Sequence, residues 1–511
     1  MINIENRREC FFDSFLIDES KTTAERRLHK PVRRGEILVL DRPWEGIYTT
    51  FFVPIFVENK WKMYYTTTIS SDEKYVCYAE SCDGQNWVRP SLGIVDFRGS
   101  KDNNIILDLE MLKKFEFKNF DNLSVIYDEN PACPEDEKYK MVSAWLGHAA
   151  LITLYSRDGI HFHKSRMITD DGAFDSQNRA FYSTYHKKYF CYYRGEHDPA
   201  ENITIIDKSY TDKTANALYD PLKFMLREPG EGTFTFMRDV RVIESEDYVT
   251  WSKNQPIHYN GADFQLYNNV VFPYPRAPHL FVAFPLRYVE RKSWTKNYDE
   301  LCGRENRLER MTRMARLGLA VTDGLFMCSR DGYNFTKYDE ALLPPPPENP
   351  EAFVYGDGTA SPILIEVPSD IPGAENEYML LLRENFRTKD GRNKLVKYTI
   401  RLDGFVSLHA GGEEREIITK EFVYSGDNLF ANVETSARGY AYFTLKSGDE
   451  EYTSVEVFGN STNKRIRFED DEAVKRLSGK PVTLKIKMYD CDIYSIRFDD
   501  SKKITLTTFN I

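Results

Sequence analysis

Long apolar runs are missing from this 511-residue chain. No stretch would span a bilayer as a helix, and the opening MINIENRRECFFDSFLIDES places charges where a secretory leader keeps its apolar core. The expected location is therefore the cytoplasm, without a membrane partner. Cysteine is also scarce: eight residues at 10, 77, 82, 133, 191, 302, 328 and 491 form no C-x-x-C pair, so neither a disulfide framework nor a structural metal site is expected. Positive charge is short, with 68 Lys and Arg against 79 Asp and Glu and a net charge of -11, which argues against a nucleic-acid partner. There is no glycine-rich phosphate loop between a strand and a helix, and no G-x-S-x-G elbow. Kinase, dinucleotide and serine-esterase chemistries fall away, and no cofactor is expected.

What the chain has is aromatic residues, 32 Tyr, 33 Phe and 6 Trp, which favour strands and also make the walls of sugar sites. A short pattern recurs: SCDGQNW at 81–87, SRDGIHF at 156–162, a degenerate SEDYVTW at 245–251 and SRDGYNF at 329–335. Asp-Gly supplies the φ > 0 position of a tight turn, so the pattern reads as one hairpin reused. Its aspartates stand 75, 89 and 84 residues apart, room for about four short strands and their loops. Five propeller blades follow, near 47–95, 115–170, 174–255, 263–342 and 352–403. The last has REN-FRTKDGRNKLVKYTI in place of the Asp-Gly turn. From 405 onward, short alternating strands with Gly, Asn and Asp turns predict a closing β-sandwich. The expected fold is all-β: an arm at 1–40, partly helical and packed on the propeller, a five-bladed propeller at 41–403, and a sandwich at 404–511. The sandwich braces the propeller in this reading, and a homo-oligomer built through it stays open.

In a propeller the innermost strands line the axis, so their starts converge at one mouth. Each start carries an acid: Glu45 in RPWEG, Asp121 and Asp128 in KNFDNLSVIYDENP, Asp175 in GAFDSQN, Asp263 in GADF, and Glu351 and Asp357 in PEAFVYGDG. Turn chemistry explains such acids equally well. Glycosidic cleavage gives them a chemical reading, because one carboxyl protonates the leaving oxygen while another activates water or attacks. Asp175 is either such a group or an Asx-type cap, with Gln177 and Asn178 beside it for sugar hydroxyls and Arg179 or Arg194 to orient it. Glu45 follows Trp44, either a carboxylate beside a sugar platform or a salt bridge to Arg42 beside a core indole. Asn103 and Asn104, Asp263 and His279 are further binding candidates, and Arg238, Arg276 and Arg287 suit an anionic group. The repeated Asp83, Asp158 and Asp331 read as scaffold.

NNI in GSKDNNII, FDSQN, YYRGE, SRDGYNF, RLDGFVSLHAG and GKPVTLKIKMYDCDIYSIRF together resemble the five-bladed propeller glycoside hydrolases, the broad group of fructosidases and arabinanases, and within it the bacterial proteins called glycosyl-hydrolase-family-32-like. The resemblance covers roughly 40 to 511. It implies a base or nucleophile on blade one, an orienting carboxylate on blade two and an acid on blade three, which by blade position are Glu45, Asp121 and Asp175. The W-M-N-D-P-N-G and R-D-P motifs of the fructosidases are absent, and no E-C pair stands in the third blade. That argues against sucrose or fructan as substrate and against a retaining mechanism. A glycoside hydrolase acting on a carbohydrate substrate is the leading expectation, with a glycoside phosphorylase and a noncatalytic carbohydrate-binding propeller as alternatives.

Overall fold

The structure, a computed structural model, describes residues 1–113, 121–145, 150–197, 237–289, 291, 294–313, 316–388 and 393–500. Among the described residues, five sheets follow one another along the chain as the blades of a β-propeller. Blade one is Thr50–Val57, Lys60–Thr68, Lys74–Ser81 and Ile105–Asp108. Blade two is Asp121–Tyr127, Tyr139–Trp145, Ala150–Ser156 and Phe162–Thr169. Blade three is Arg179–Ser183, Lys188–His197, Met237–Ser245 and Gln255–Pro256. Blade four is built on Val271–Tyr274, Ala277–Ala283, Val321–Ser329 and Asn334–Leu343, with a helical insertion before its third strand. Blade five is Ile365–Val367, Glu377–Glu384 and Lys394–Arg401, completed by Val32–Val39 from the other end of the chain.

Apolar clusters between neighbouring blades close the ring. Val53, Tyr64 and Val125 join blades one and two, Val142, Tyr193 and Ile243 join two and three, and Phe190, Val240 and Phe281 join three and four. Phe284, Leu380 and Val396 join four and five, and Met63, Cys77 and Met379 join five back to one. Middle strands are therefore covered on both faces, which is why YVCYA and YFCYY read as continuous buried runs instead of alternating.

The repeated Asp-Gly sequence closes the turn after the third strand. Asp83 Oδ1 accepts the amides of Gln85 and Asn86, both at 2.8 Å, and Gly84 takes φ 74°. Gly159 and Gly332 repeat this at 80° and 82°, and Tyr248 holds the left-handed position at 61° in blade three. Blade five has an Asp-Gly pair at this place, Asp403-Gly404, but its left-handed residue is Asp403 at φ 56° and not the residue after it, so the geometry of the repeat is not kept. Its third strand ends at Arg401, and Leu402-Asp403-Gly404 keeps the spacing; the chain then leaves for the C-terminal unit, and the fourth strand comes from residues 32–39.

Residues 1–40 differ from the partly helical arm expected. Ile2–Glu5 pairs with Phe422–Tyr424, Arg8–Cys10 with Ser495–Arg497, and Glu25–Leu28 with Val406–His409, so the segment is a series of added strands. The expected boundary at 40/41 cuts through blade five, because Val32–Val39 belongs to it. In the C-terminal unit, NLFANVE and GYAYFTLK are one strand, Asn428–Ser447, paired along its length with a second long strand, Thr483–Asp499. Between them the chain makes a bulge and not a turn, where Thr435 faces Cys491 and Tyr440 faces Tyr489. Hydrogen bonds join the strands of this unit in one network around a core that includes Leu408, Val433, Phe443 and Ile486.

Because adjacent strands alternate in direction, first-strand starts and second-to-third connections share one end of the propeller axis. First-to-second and third-to-fourth turns lie at the other, where the C-terminal unit packs.

Candidate functional site

All five blades contribute to one cavity of about 270 Å³ at the first-strand end of the axis. Among the described residues, two carboxylates stand on it, Asp121 and Asp175, their side chains 41% and 45% exposed. Asp121 opens the inner strand of blade two, its amide donating to Ser143 Oγ at 3.1 Å and its Oδ2 lying 3.6 Å from Lys74 Nζ. Asn122 follows at φ 52°, a left-handed turn that brings its Nδ2 to 3.5 Å from Asp175 Oδ1. Asp175 is clamped by Arg194, whose Nη1 donates to the main-chain carbonyl at 2.9 Å and to Oδ2 at 3.2 Å while its Nη2 is held by Glu196 at 2.8 Å. The structure therefore brings Asp121, Asp175 and the orienting Arg194 together.

Glu45 is not with them. Its side chain is fully buried, with Tyr65 Oη donating at 2.6 Å to one oxygen and Arg89 Nη1 and the Arg42 amide donating at 2.5 and 3.1 Å to the other. The loop before blade one turns inward, so this acid stitches the scaffold instead of facing the mouth. Trp44 and the paired asparagines belong to the same structural knot. The Trp44 indole donates to Asn104 Oδ1 at 2.8 Å and packs on Phe97, and Asn104 Nδ2 donates to Tyr65 Oη at 2.8 Å. Asn103 ties its own loop through Val95 O at 2.9 Å and the Ile105 amide at 3.0 Å.

Gln177 and Asn178 are buried away from the lining. Asn178 Nδ2 donates to Phe174 O at 3.0 Å, and the Gln177 amide donates to Asn268 Oδ1 at 2.9 Å, so the pair fixes the strand starts of blades two to four. Ser176 and Asn268, their neighbours in sequence and space, line the cavity. Asp263 is also outside the lining, taken by His197 Nε2 at 2.9 Å and Tyr259 Oη at 2.8 Å. Burial opposes the charge on His197, yet Asp263 and Asp239 overcome it and raise its pKa above the usual histidine value. His279 lies at the opposite end of the propeller, because it starts a second strand, which runs the other way. There it is buried with Nε2 3.5 Å from Glu9 Oε1. Burial alone would raise Glu9, but the nearby His279 imidazole and the Arg330 and Arg7 charges hold it at about 2.

Reading only first-strand starts misses the residues that enter from second-to-third connections: Lys74, Arg383, Phe386 and Arg387. Arg383 is buried, bonded to Thr50 Oγ1, Gly356 O and Thr359 Oγ1, with its guanidinium 3.5 Å from the Phe386 ring centroid. Arg387 stacks 4.4 Å from Phe386 and 4.7 Å from Tyr355. Asn385 and Arg387 adopt φ 56° and 64°, and the Asp357 carboxylate holds that loop by accepting the Asn385 and Phe386 amides, each at 3.0 Å. Burial pushes Asp357 up to about 6 against the pull of the Phe386 amide and Arg310. Between the two walls, burial, then Tyr355 and Asp175, push the Tyr267 phenol well above its usual value, and Arg387 opposes them. REN-FR lies between the second and third strands, away from the turn that the repeat marks, so the repeat carries no signal for this loop.

Among the described residues, no cluster of three or more His, Cys, Asp or Glu side chains is placed to hold a metal ion. Nor is any helix there long and apolar enough to cross a membrane.

No family model matches the chain, and no curated protein sequence matches it. Solved structures align with it at low scores. An N-acetylgalactosamine deacetylase from F. plautii aligns at TM-score 0.44 and 11% identity over 73% of this chain and 96% of its own. A family 43 arabinoxylan arabinofuranohydrolase from Bacillus subtilis aligns at 0.36 and 11%, over 88% and 96%. A thermostable family 43 glycoside hydrolase aligns at 0.42 and 13%, over 70% and 91%.

Proposed function

We propose that the axial cavity is the active site of a glycoside hydrolase, with Asp121 and Asp175 as its carboxylate pair. The observation that carries this reading is that two half-exposed carboxylates from adjacent blades meet on one cavity at the axis. Around them stand groups suited to a sugar: hydroxyls of Thr50, Thr66 and Ser176, the amide of Asn268, and the rings of Tyr48 and Tyr355. In hydrolysis one carboxyl delivers a proton to the glycosidic oxygen as the bond breaks, and the other takes a proton from the attacking water. Arg194 fixes Asp175 at both its carboxylate and its carbonyl, so that group meets the bond in one orientation.

The test is turnover of a panel of glycosides and short oligosaccharides by the full chain, with Asp121→Asn and Asp175→Asn variants. Each variant is expected to lose about 100-fold or more in kcat, the usual scale of general acid or base catalysis, with its fold intact. The variant lacking the proton donor keeps more of its rate on glycosides with an activated leaving group, which assigns the roles. Turnover unchanged in both variants would place the chemistry elsewhere, and binding without turnover across the panel would leave a carbohydrate-recognition module.

A further inference from the structure

Among the described residues, the blade-five wall of the cavity carries more positive charge than its buried carboxylate balances. Arg310, from the helix Arg304–Arg313 inserted into blade four, lies within the electrostatic reach of Arg387 and Asp357, and Arg383 lies within reach of the same two groups. Among the described residues, Asp357 is the buried carboxyl that serves all three guanidiniums, Glu351 adding a weaker pull on Arg310, and both oxygens of Asp357 already accept backbone amides. Burial pushes Arg383 down to about 9 and Arg310 down to about 10, with Asp357 opposing and Arg387 adding to the fall. A charge held out of water in this way is costly unless an opposite charge joins it.

The geometry says where that charge would sit. Arg383 and Arg387 both line the cavity, and Arg383 Nε and Arg387 Nη1 are buried without a hydrogen-bond partner. Stacking on Phe386 and Tyr355 holds both planes in place, and Asp357 pins the left-handed loop that carries Arg387. Fixed, planar, partly unpaired guanidiniums on an aromatic wall match an oxyanion better than a neutral hydroxyl.

We propose that Arg383 and Arg387 form an oxyanion subsite, which takes a carboxylate or phosphate group either borne by the sugar or supplied as free inorganic phosphate. This rests on reading the cavity as a carbohydrate site, with Asp121 and Asp175 facing the sugar from the opposite wall.

Calorimetric titration of the full-length chain at low salt, and thermal shifts in parallel, measure it. The probes are glucuronate against glucose, then inorganic phosphate alone, then glucose with phosphate present. If the sugar bears the anion, glucuronate binds more tightly than glucose without phosphate. If free phosphate is the ligand, phosphate alone raises Tm and strengthens glucose binding. Either result supports the subsite when Arg387→Gln weakens the anion about 10- to 100-fold, the loss of one charged hydrogen bond, and Arg387→Lys restores part of it. Anion binding that is absent in the wild-type chain, or unchanged in Arg387→Gln, overturns the proposal, and the wild-type titration decides even where a variant fails to fold. The Asp175→Asn chain separates this from the hydrolase reading. Anion binding kept there, with no turnover in any form of the protein, leaves the subsite standing while the hydrolase reading falls.

Discussion

At Glu45 both carboxylate oxygens are engaged, and the guanidinium that meets one of them is itself largely buried. Glu45→Gln keeps the shape of the side chain but takes away the buried partner of Arg89, which is left with the exposed Asp41 at 3.0 Å. Breaking a buried pair from one side costs about 3 kcal/mol, so the urea midpoint should fall clearly. Turnover per folded molecule should be unchanged, since Glu45 does not reach the cavity. A selective loss of kcat at full stability would return Glu45 to the active site. The contrast with Asp121 and Asp175 shows what is legible at this scale. An acid before an inner strand is visible in sequence, but which acids turn outward depends on partners far along the chain. Arg89 stands 44 residues beyond Glu45, and Arg194 stands 19 beyond Asp175. Arg383 and Arg387 were hidden for another reason. They enter from the middle of a blade, and nothing in LLRENFR states that Asp357 will fold the loop back onto the axis.

The blades were readable as elements because their turn chemistry is local. Ser, Asp and Gly at fixed spacing satisfy one another within a few residues, and the turn then docks on the neighbouring blade. At Gly159, an added Cβ would stand 2.4 Å from Tyr64 Oη of blade one and 2.7 Å from the Tyr139 ring, on a backbone at φ 80°. Gly159→Ala is therefore expected to cost about 2 kcal/mol or more, from conformational strain together with overpacking. Chemical denaturation would show it. Gly93 offers a control: its φ of 70° is similar but it has nothing within 4 Å, so Gly93→Ala isolates the backbone part. Equal losses at both sites would mean that the inter-blade contact carries no weight. Non-local pairing is where sequence reading failed. Val32–Val39 shows only half-buried alternation, and its partner Lys394–Arg401 lies more than 350 residues away. The bulge that makes one strand of Asn428–Ser447 likewise looks like a turn until the opposing strand is known.

The ring closes on residues from both ends of the chain, and Asp403 is where those ends meet the blades. It sits at φ 56° in the fifth-blade turn, fully buried, accepting from Arg8 at 3.0 Å, Tyr274 Oη at 2.8 Å and Ser495 Oγ at 2.9 Å, with Arg276 at 3.2 Å. These partners come from the N-terminal strand, blade four and the long C-terminal strand, so one carboxylate joins three parts of the molecule. Burial alone would raise its pKa, but the charges of Arg8 and then Arg276 outweigh burial and hold it below the usual aspartate value. The unfolded chain therefore binds a proton near pH 4 that the folded chain refuses. The stability due to Asp403 is present above that range and is lost as the pH falls through it. Asp403→Ala, which leaves two arginines facing each other, should cost about 3–5 kcal/mol at neutral pH. Asp403→Asn should cost less and should flatten the acid limb of a plot of stability against pH. Ligand affinity at the axial cavity should survive in both variants, because the turn lies at the far end of the propeller from Asp121 and Asp175. An acid limb unchanged in Asp403→Asn would mean that other carboxylates, Glu9 foremost among them, carry the acid sensitivity of the junction.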